Sequence, residues 1–543
     1  MKKLLLAVFI ISLITRIIYL GMIIPSVSND EADLYLSSYL LAKSGTDYYD
    51  NQFFLTSGIL TAKPSIPIYI GSLSWLMNQE KSVHAARFLF LLWNSITPLL
   101  FFLTIFYITK NSRYAFIAFM VLNFSPWFSY MSVTGYESLI CFGFLNASLL
   151  ISVIPIKKPV KLALLAVFSF LIFNSYMAVR TYMPIIIVVN LLLGDFIDKK
   201  QLVKSLSYIF IVGIIFTGLL TILNYYAPNS ILVRNEFRYM VSVDKAANEG
   251  NVWYERLTTD APELGKKILV NKLTIQINEY TKKYLSILDM NIFFVKGDPS
   301  SLYGTAGLIG LFYLTDFLFF IFGLINLKSL DKKLSYLLCF MVVAGIPIAL
   351  TKTDVTVILR GIILLIPFTI IISHGIASFI KKSKTYYSLY LLILFLNWIF
   401  FMTIYNTRIK PLNRSAWQIN QKKMVEEIES IDRNYKITIF ESDSRAAFIQ
   451  YAFYKVKDPF VIKERLRNKN YVYGKIEYKE TCPKELQKGK VVYIMKHNYC
   501  EEFYKKYLSI STKKADGQTV IINQKFMVNS DFSGDDYVLI MGN

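Results

Sequence analysis

The feature that most constrains this chain is a series of long apolar runs, separated by polar stretches, from its start to about residue 405. A helix needs roughly 20 apolar residues to cross the hydrocarbon core of a bilayer. By that criterion the sequence predicts about eleven membrane spans. The predicted spans are Met1–Ile24 and stretches near 83–108, 114–130, 137–156, 160–179, 182–197, 205–226, 301–327, 333–350, 357–380 and 385–405.

The first apolar run has a second interpretation. Lys2 and Lys3 followed by apolar residues are also typical of a secretory signal peptide. No small-x-small cleavage site precedes Pro25, however, and more apolar runs follow. We therefore expect this run to be retained as the first membrane helix.

Clusters of basic residues between the predicted spans indicate the orientation of the chain. Short cytoplasmic loops carry an excess of Lys and Arg, and alternate threading of the spans brings all of these clusters to one side. The N-terminus is therefore predicted to be cytoplasmic. The same topology accounts for the net charge of +21, so nucleic acid is not an expected partner. The clusters are Lys2/Lys3, Lys110/Arg113, Lys157/Lys158/Lys161, Lys199/Lys200, Lys328/Lys332/Lys333 and Lys381/Lys382/Lys384.

Three long polar segments, 25–82, 227–300 and 406–543, then fall on the outer side. Loops of this length are usually functional or separately folded. We assign the first two, as outer loops, to a membrane domain at 1–405, and we expect amphipathic helices in the first. The third alternates helix-like and strand-like stretches, which predicts an extracytoplasmic α/β domain. Its predicted elements are the helix Trp417–Ile431 and the strands Lys436–Phe440, Val491–Met495, Val520–Asn523 and Tyr537–Met541.

Several other chemistries have no signature in the sequence. There is no P-loop or Rossmann fingerprint, so a pump driven by cytoplasmic ATP is not expected. No CxxC or HExxH spacing indicates a metal site. Cys482 and Cys500 both lie in the third outer segment, where disulfides form readily, and they are a candidate pair.

The first outer segment opens with Ser-Asn-Asp-Glu at residues 28–31, and this motif has two interpretations. In one, Ser28 and Glu31 form a capping box, and the acids merely begin an amphipathic helix, Glu31–Lys43, lying along the membrane. In the other, Asp30 and Glu31 belong to an active site on the outer surface. The motif alone leaves both interpretations open.

Further motifs follow in order along the chain. Lys63 precedes a proline in the same loop, Arg87 lies at the start of the next span, and Glu137 stands at the outer mouth of a later span. This series resembles the GT-C superfamily of lipid-phosphate-sugar-dependent glycosyltransferases. It is most similar to the branch of protein O-mannosyltransferases and the lipid A aminoarabinose transferase. The resemblance extends over roughly residues 1–380, although aspartate is commoner in that branch at the position of Glu137.

The resemblance implies an inverting transfer of a hexosyl or pentosyl group from a polyprenyl-phosphate carrier to an acceptor hydroxyl or amine. Asp30 would be the base that takes the acceptor's proton. Lys63 would bind the donor phosphate, because a fixed cation stabilises the charge that develops on a leaving phosphate. Further candidates are Arg360 and Arg87 for the phosphate, Glu137 for orienting the acceptor or Lys63, and Glu31 in a secondary role.

Glu137 and Arg87 each have a structural alternative, since either residue would also suit the start of a helix. The resemblance implies a co-substrate rather than a cofactor, and we expect no divalent metal. The implied partners are the lipid-linked donor, membrane lipids, and an acceptor protein, lipid or glycan. The protein would lie in the inner (plasma) membrane, with its site outside the cytoplasm.

Two other functional classes compete with an enzyme. A transporter or flippase for a lipid-linked glycan would be expected to carry charged residues in the middle of its spans and to have pseudo-repeated halves. Here the candidate acids lie in outer loops and the two halves are dissimilar, which favours the enzyme. A catalytically inactive assembly subunit is a third class. Neither the sugar nor the acceptor has a local signature in the sequence.

Overall fold

The computed structural model describes most of the chain, and the predicted span at 205–226 lies outside the residues that it describes. The described residues are 2–23, 26–50, 58–60, 63–78, 81–196, 245–298, 304–350, 357–380, 384–414, 416–485, 489–496, 499–500, 502–503, 520–523 and 537–542.

Helices make up most of the described chain. Their bounds are α1 Lys2–Ile23, α2 Asn29–Ser44, α3 Ser65–Met77, α4 Val83–Thr109, α5 Ser112–Phe124, α6 Pro126–Met131, α7 Glu137–Val153, α8 Lys158–Phe173, α9 Met183–Leu193, α10 Lys245–Thr258, α11 Glu263–Leu269, α12 Lys272–Ser286, α13 Met290–Phe294, α14 Leu314–Ile325, α15 Lys332–Leu337, α16 Phe340–Val343, α17 Ile346–Ala349, α18 Val357–Arg360, α19 Leu365–Ile380, α20 Lys384–Ile404, α21 Lys410–Leu412, α22 Ile419–Ile428, α23 Ser444–Lys455 and α24 Pro459–Arg467. Short 3-10 turns lie at Ala178–Tyr182, Leu327–Ser329 and Ile362–Leu364, and a π-helical turn at Tyr405–Ile409.

Four helical segments of the described chain are long and apolar enough to cross a membrane: Val83–Thr109, Lys332–Ala349, Ile362–Ile380 and Thr385–Leu412. Shorter apolar helices occupy other predicted spans, among them Ser112–Phe124 and Glu137–Val153. The chain is thus a mostly helical protein with several candidate membrane spans. The count of about eleven spans and their orientation stay predictions.

The apolar stretch at 114–130 shows how the sequence breaks a predicted span. Asn111 caps α5 by accepting hydrogen bonds from the backbone N–H groups of Arg113 and Tyr114. The helix ends at Phe124, and Ser125 adopts an extended conformation with ψ 139°. Proline disfavours the helical conformation in the residue before it, and Pro126 follows directly. The structure therefore has two helices here, α5 and α6, where we predicted one span.

The C-terminal segment contains a six-stranded mixed sheet, whose strands are β1 Lys436–Phe440, β2 Val472–Tyr473, β3 Ile476–Lys479, β4 Val491–Lys496, β5 Val520–Asn523 and β6 Tyr537–Gly542. Their order in the sheet is β2-β3-β1-β4-β6-β5. Strands β1 and β3, and β1 and β4, are parallel, whereas the other three neighbouring pairs are antiparallel. All four predicted strands are present, and the structure adds β2 and β3.

The chain divides into two compact units. The first comprises Met1–Ile18, Pro64–Pro67 and Phe90–Tyr405. The second comprises Tyr19–Lys63, Ile68–Leu89 and Asn406–Asn543. Most of the first outer segment and the C-terminal segment therefore share one unit. The predicted boundary between domains 1–405 and 406–543 stays a prediction.

In the second unit, helix α23 is buried on two sides. Phe448 packs against Tyr478 of the sheet, with ring centroids 6.2 Å apart. Phe453 packs against Tyr35 of α2, with ring centroids 6.1 Å apart. A helix that is covered in this way belongs to the core of its unit rather than to its surface.

Helix α2 is also enclosed, which bears on the capping-box interpretation of its first turn. In that interpretation, Glu31–Lys43 is an amphipathic helix that lies along the membrane. Instead, every residue from Glu31 to Leu40 is buried. Helix α23 of the C-terminal segment covers part of this surface, a contact that the local sequence pattern of α2 does not reveal.

Candidate active site in the first outer segment

The two candidate acids lie in the first turn of α2. The hydroxyl of Ser28 accepts a hydrogen bond of 3.2 Å from the backbone N–H of Glu31, as a capping residue does. The Ser28 half of the predicted capping interaction is therefore confirmed. Negative side chains at a helix N-terminus also interact favourably with the helix dipole. Helix capping thus explains where the two acids stand along the chain, but not where their side chains point.

Asp30 and Lys63 lie next to each other although they are 33 positions apart in sequence. The Lys63 Nζ and the Asp30 Oδ1 are 3.4 Å apart. The Lys63 side chain is 8% exposed, whereas that of Asp30 is 33% exposed. The site therefore presents a partly open carboxylate beside an enclosed ammonium group.

Asp33 holds the segment that precedes Lys63. Its Oδ1 accepts hydrogen bonds from the backbone N–H groups of Ile59 and Leu60, at 2.6 and 3.0 Å. Arg445 of α23 donates a 2.7 Å hydrogen bond to the carbonyl of Ile59. Neither residue was among the predicted site residues. The spacing of Asp33, about one helical turn after Asp30, was an available signal, whereas nothing local pointed to Arg445.

Glu31 forms a buried ion pair with Arg87. The Arg87 Nε donates a 3.0 Å hydrogen bond to Glu31 Oε1, and its Nη2 donates to Oε2. Tyr35 donates a further 3.0 Å hydrogen bond to the same carboxylate. Burial, followed by the negative charge of Glu31, raises the pKa of Tyr35 well above its ordinary range, so its hydroxyl remains a donor. Both members of the pair are at most 1% exposed.

This geometry favours the structural alternative for Arg87. Its Nη2 also donates a 2.9 Å hydrogen bond to the carbonyl of Ser26, and its guanidinium lies 5.4 Å from the ring centroid of Trp417. The group is thus enclosed on several sides, against the start of α2. Phosphate binding by Arg87 stays a prediction, and its contacts with Glu31 and Ser26 make it a positioning residue for the start of α2.

The C-terminal helix α23 contacts the turn from which α2 begins. The Gln450 Nε2 donates hydrogen bonds to the Oδ1 of Asn29 at 3.0 Å and to the carbonyl of Val27 at 3.3 Å. The hydroxyls of Tyr454 and Ser26 are 2.9 Å apart. Because Asn29 directly precedes Asp30, these contacts fix the backbone at the candidate base.

Glu137 and Arg360 belong to the first unit. Glu137 is the first residue of α7. Arg360 ends the short helix α18, and its backbone carbonyl accepts a 3.4 Å hydrogen bond from Tyr182. The convergence of these two side chains with Asp30 and Lys63 stays a prediction.

Two further predictions concern cysteines and metals. Cys482 and Cys500 are joined by a disulfide, with their Cα atoms 5.4 Å apart. Within the described ranges, no group of three or more His, Cys, Asp or Glu side chains is placed to hold a metal ion.

No family model and no curated protein matches the chain. Solved structures do show a likeness to it. ArnT from Cupriavidus metallidurans bound to undecaprenyl phosphate has 9% identity and a TM-score of 0.46, over 100% of this chain and 98% of that one. The apo state of ArnT has 10% identity and a TM-score of 0.41, over 99% and 98% of the two chains. An oligosaccharyltransferase complex from Archaeoglobus fulgidus with Zn and sulfate has 12% identity and a TM-score of 0.45, over 93% and 70%.

Proposed function

We propose that this protein is a membrane glycosyltransferase that moves a sugar from a polyprenyl-phosphate carrier to an acceptor hydroxyl or amine outside the cytoplasm. The observation that supports this most directly is the pairing of Asp30 with Lys63, with 3.4 Å between Nζ and Oδ1. The two residues belong to the first outer segment of a chain with several candidate membrane spans.

The proposed reaction is a single displacement at the anomeric carbon of the sugar. A bond forms between the acceptor oxygen or nitrogen and this carbon, while the bond from the carbon to the phosphate oxygen breaks. Asp30 takes the proton of the acceptor, and the bonding electrons leave with the polyprenyl phosphate. Lys63 stabilises the charge that develops on that phosphate. One displacement of this kind inverts the configuration of the sugar.

The ion pair also suggests how the donor prepares the base. An ammonium group favours the ionised form of a neighbouring carboxylate, which is the form that can accept a proton. When a phosphate binds, it competes with Asp30 for Lys63. The flexible side chain of Lys63 allows its ammonium group to turn toward the phosphate. In this proposal, donor binding releases Asp30 to face the acceptor.

The remaining candidates have supporting roles in the proposal. Arg360 contributes a second cation for the phosphate, and Glu137 orients the acceptor or Lys63. Glu31 and Arg87 hold the first turn of α2 in place through their buried pair, whose contacts include 3.0 Å between Nε and Oε1. No metal has a role in this mechanism, because Lys63 and Arg360 supply the positive charge.

The proposal can be tested with the full-length protein in lipid nanodiscs. The substrates are a panel of radiolabelled undecaprenyl-phosphate sugars, offered together with a membrane extract as the source of acceptors. A transferase releases undecaprenyl phosphate and moves the label to another molecule. A flippase instead moves intact donor across the bilayer of vesicles, and an inactive subunit does neither. Either of these outcomes would contradict the proposal.

A further inference from the structure

Three short helices of the second long outer segment carry an unusual number of exposed apolar side chains. In α10, Trp253 and Leu257 are four positions apart, as are Leu264 and Ile268 in α11. Residues spaced in this way share one face of a helix, so each helix has an apolar stripe. The exposed residues of the group are Trp253, Tyr254, Leu257, Leu264, Ile268, Leu269, Leu273, Ile277 and Leu285, each between 54% and 73% exposed.

The stripes are not the faces that hold these helices together. Val252, Val270 and Ile275 form a separate small buried cluster that joins the helices. Arg256 of α10 donates a 2.8 Å hydrogen bond to the carbonyl of Val270, and Asn271 forms a capping box at the start of α12. These contacts therefore hold the three helices together on one side, and the apolar stripes are left exposed on another side. A large exposed apolar patch on an ordered surface marks a site of interaction with a protein or a membrane.

The end of α12 lies against a candidate membrane span. The Tyr284 hydroxyl donates a hydrogen bond to the carbonyl of Val342, within the apolar segment Lys332–Ala349. A Cβ atom at Gly345 would lie 2.6 Å from the Tyr284 ring, so the close approach depends on glycine. At 1.5 Å per residue, Val342 is about 10 Å from the end of this segment. That end is the predicted outer end, because Lys332 and Lys333 belong to a predicted cytoplasmic cluster.

We propose that α10, α11 and α12 lie on the outer surface of the bilayer, with their apolar stripes inserted at the boundary between headgroups and acyl chains. Interfacial helices insert to about 5–10 Å, a depth that matches the contact between Tyr284 and Val342. Trp253 and Tyr254 have the amphipathic rings that favour this boundary.

The charges of these helices also suit a lipid surface. Residues 245–286 contain seven basic and five acidic side chains, and the basic ones include the neighbouring pairs Lys266/Lys267 and Lys282/Lys283. Lysine can bury its aliphatic stem along an apolar surface and keep its ammonium group at the level of the headgroups. The proposal concerns only this surface and does not depend on sugar transfer.

Site-specific labelling tests the proposal on the full-length chain. Ile277→Cys on the stripe of α12 is compared with Lys282→Cys, which is exposed and lies about 140° round the same helix. Both variants are made with Cys339→Ser, which leaves Cys141, a buried thiol, and the disulfide. The proteins are labelled with bimane and reconstituted into vesicles of phosphatidylethanolamine and phosphatidylglycerol. Quenching is measured with lipids brominated near the top of the acyl chain and with aqueous iodide.

We expect brominated lipid to quench the label at 277 at least about twofold more than the label at 282, and iodide to show the reverse order. Quenching of the label at 277 by iodide alone would show that the stripe faces water, and would overturn the proposal. Protection from both quenchers that increases with protein density in the vesicles would show that a second copy of the chain covers the stripe. That result would also overturn the proposal.

Discussion

The Gln450 Nε2 donates a 3.0 Å hydrogen bond to the Oδ1 of Asn29, the residue directly before Asp30. The two residues are 421 positions apart, and Gln450 is 1% exposed. A second hydrogen bond from Gln450 reaches the carbonyl of Val27. The C-terminal segment, whose sequence matches no family model, therefore supports the turn on which the candidate base stands.

The contact predicts that Gln450 is a positioning residue. Gln450→Leu removes both hydrogen bonds while keeping a similar volume, and should cost about 1–3 kcal/mol of stability because buried acceptors are left unpaired. We also expect kcat to fall roughly tenfold or more, because small displacements of reacting groups have large effects on rate. Thermal unfolding and donor turnover measure the two effects.

Tyr39→Phe is the matched control for this variant. It removes the 2.6 Å hydrogen bond from α2 to the carbonyl of Lys457, which also joins the first outer segment to the C-terminal segment. It should lower stability with little change in kcat. Equal losses of kcat in the two variants would mean that Gln450 acts only through stability.

Lys63 should act mainly on the donor. Lys63→Ala removes the cation next to the proposed phosphate position, so we expect KM for the donor to rise and kcat to fall. Lys63→Arg keeps the charge and should retain part of the activity, although its planar group does not reproduce the ammonium geometry. Steady-state kinetics with varied donor concentration separate the two parameters. An unchanged KM and kcat in Lys63→Ala would exclude a role for Lys63 in donor binding and departure.

Much of the fold follows from patterns within single segments. The long apolar run at 83–108 predicts α4, Val83–Thr109, and the β-branched runs in the C-terminal segment predict β1 and β4. Strands β2 and β3 are short, at two and four residues, and their sequence has too few positions to establish a periodicity. The sequence Ser125-Pro126 indicates a break in the helix, but the span at 114–130 was predicted from the number of apolar residues alone.

The candidate site was likewise only partly predictable from the sequence. The motif order suggested that Asp30 and Lys63 belong together, and the structure places them 3.4 Å apart. The partners that hold them come from distant positions: Arg445 contacts Ile59 across 386 positions, and Gln450 contacts Asn29 across 421. Such contacts depend on tertiary packing, and no periodicity within one segment encodes them. The same packing encloses Glu31 and Arg87, whose pairing was not predicted from the sequence.

The buried pair of Glu31 and Arg87 should be important for stability. Glu31→Gln leaves the Arg87 charge buried without its partner, which should cost about 3–5 kcal/mol. The double variant Glu31→Gln/Arg87→Met removes the buried charge as well and should recover part of that loss. Chemical denaturation of the detergent-solubilised protein measures both values.

An exposed pair provides the control for this measurement. Lys455 and Glu429 are 2.7 Å apart with the Glu429 side chain 59% exposed, so Glu429→Gln should cost at most about 1 kcal/mol. Equal losses for Glu31→Gln and Glu429→Gln would mean that burial of the Arg87 pair has no energetic consequence.

The disulfide offers a test of which side of the membrane the C-terminal segment occupies. If Cys482 and Cys500 lie outside the cytoplasm, reduction of intact cells should make both react with a membrane-impermeant maleimide. A cysteine introduced at Lys158, in a predicted cytoplasmic cluster, should react only after lysis. Mass spectrometry of the labelled peptides measures both reactions. Labelling of position 158 in intact cells, or none at Cys482, would show that the predicted topology is wrong.

The decisive substitution is Asp30→Asn. Asparagine keeps the size of aspartate and still suits the start of a helix, so α2 should form, but an amide cannot take the proton of the acceptor. Transfer should therefore fall by roughly 10²–10⁴-fold. Donor binding should change much less, because in this mechanism Asp30 does not bind the phosphate and only competes with it for Lys63. Turnover and equilibrium binding of the donor measure the two quantities in the same nanodisc preparation.

Asp50→Asn is the control that separates chemistry from charge. Asp50 lies in the same outer segment and pairs with Lys463 at 3.3 Å and Arg467 at 2.6 Å, with its side chain 57% exposed. The substitution removes the same negative charge from the same unit, so a general electrostatic effect would lower transfer in both variants. A loss confined to Asp30→Asn would favour proton transfer at that carboxylate. Normal transfer by well-folded Asp30→Asn would leave Asp30 as an acid that only begins a helix, and the base would have to be another residue.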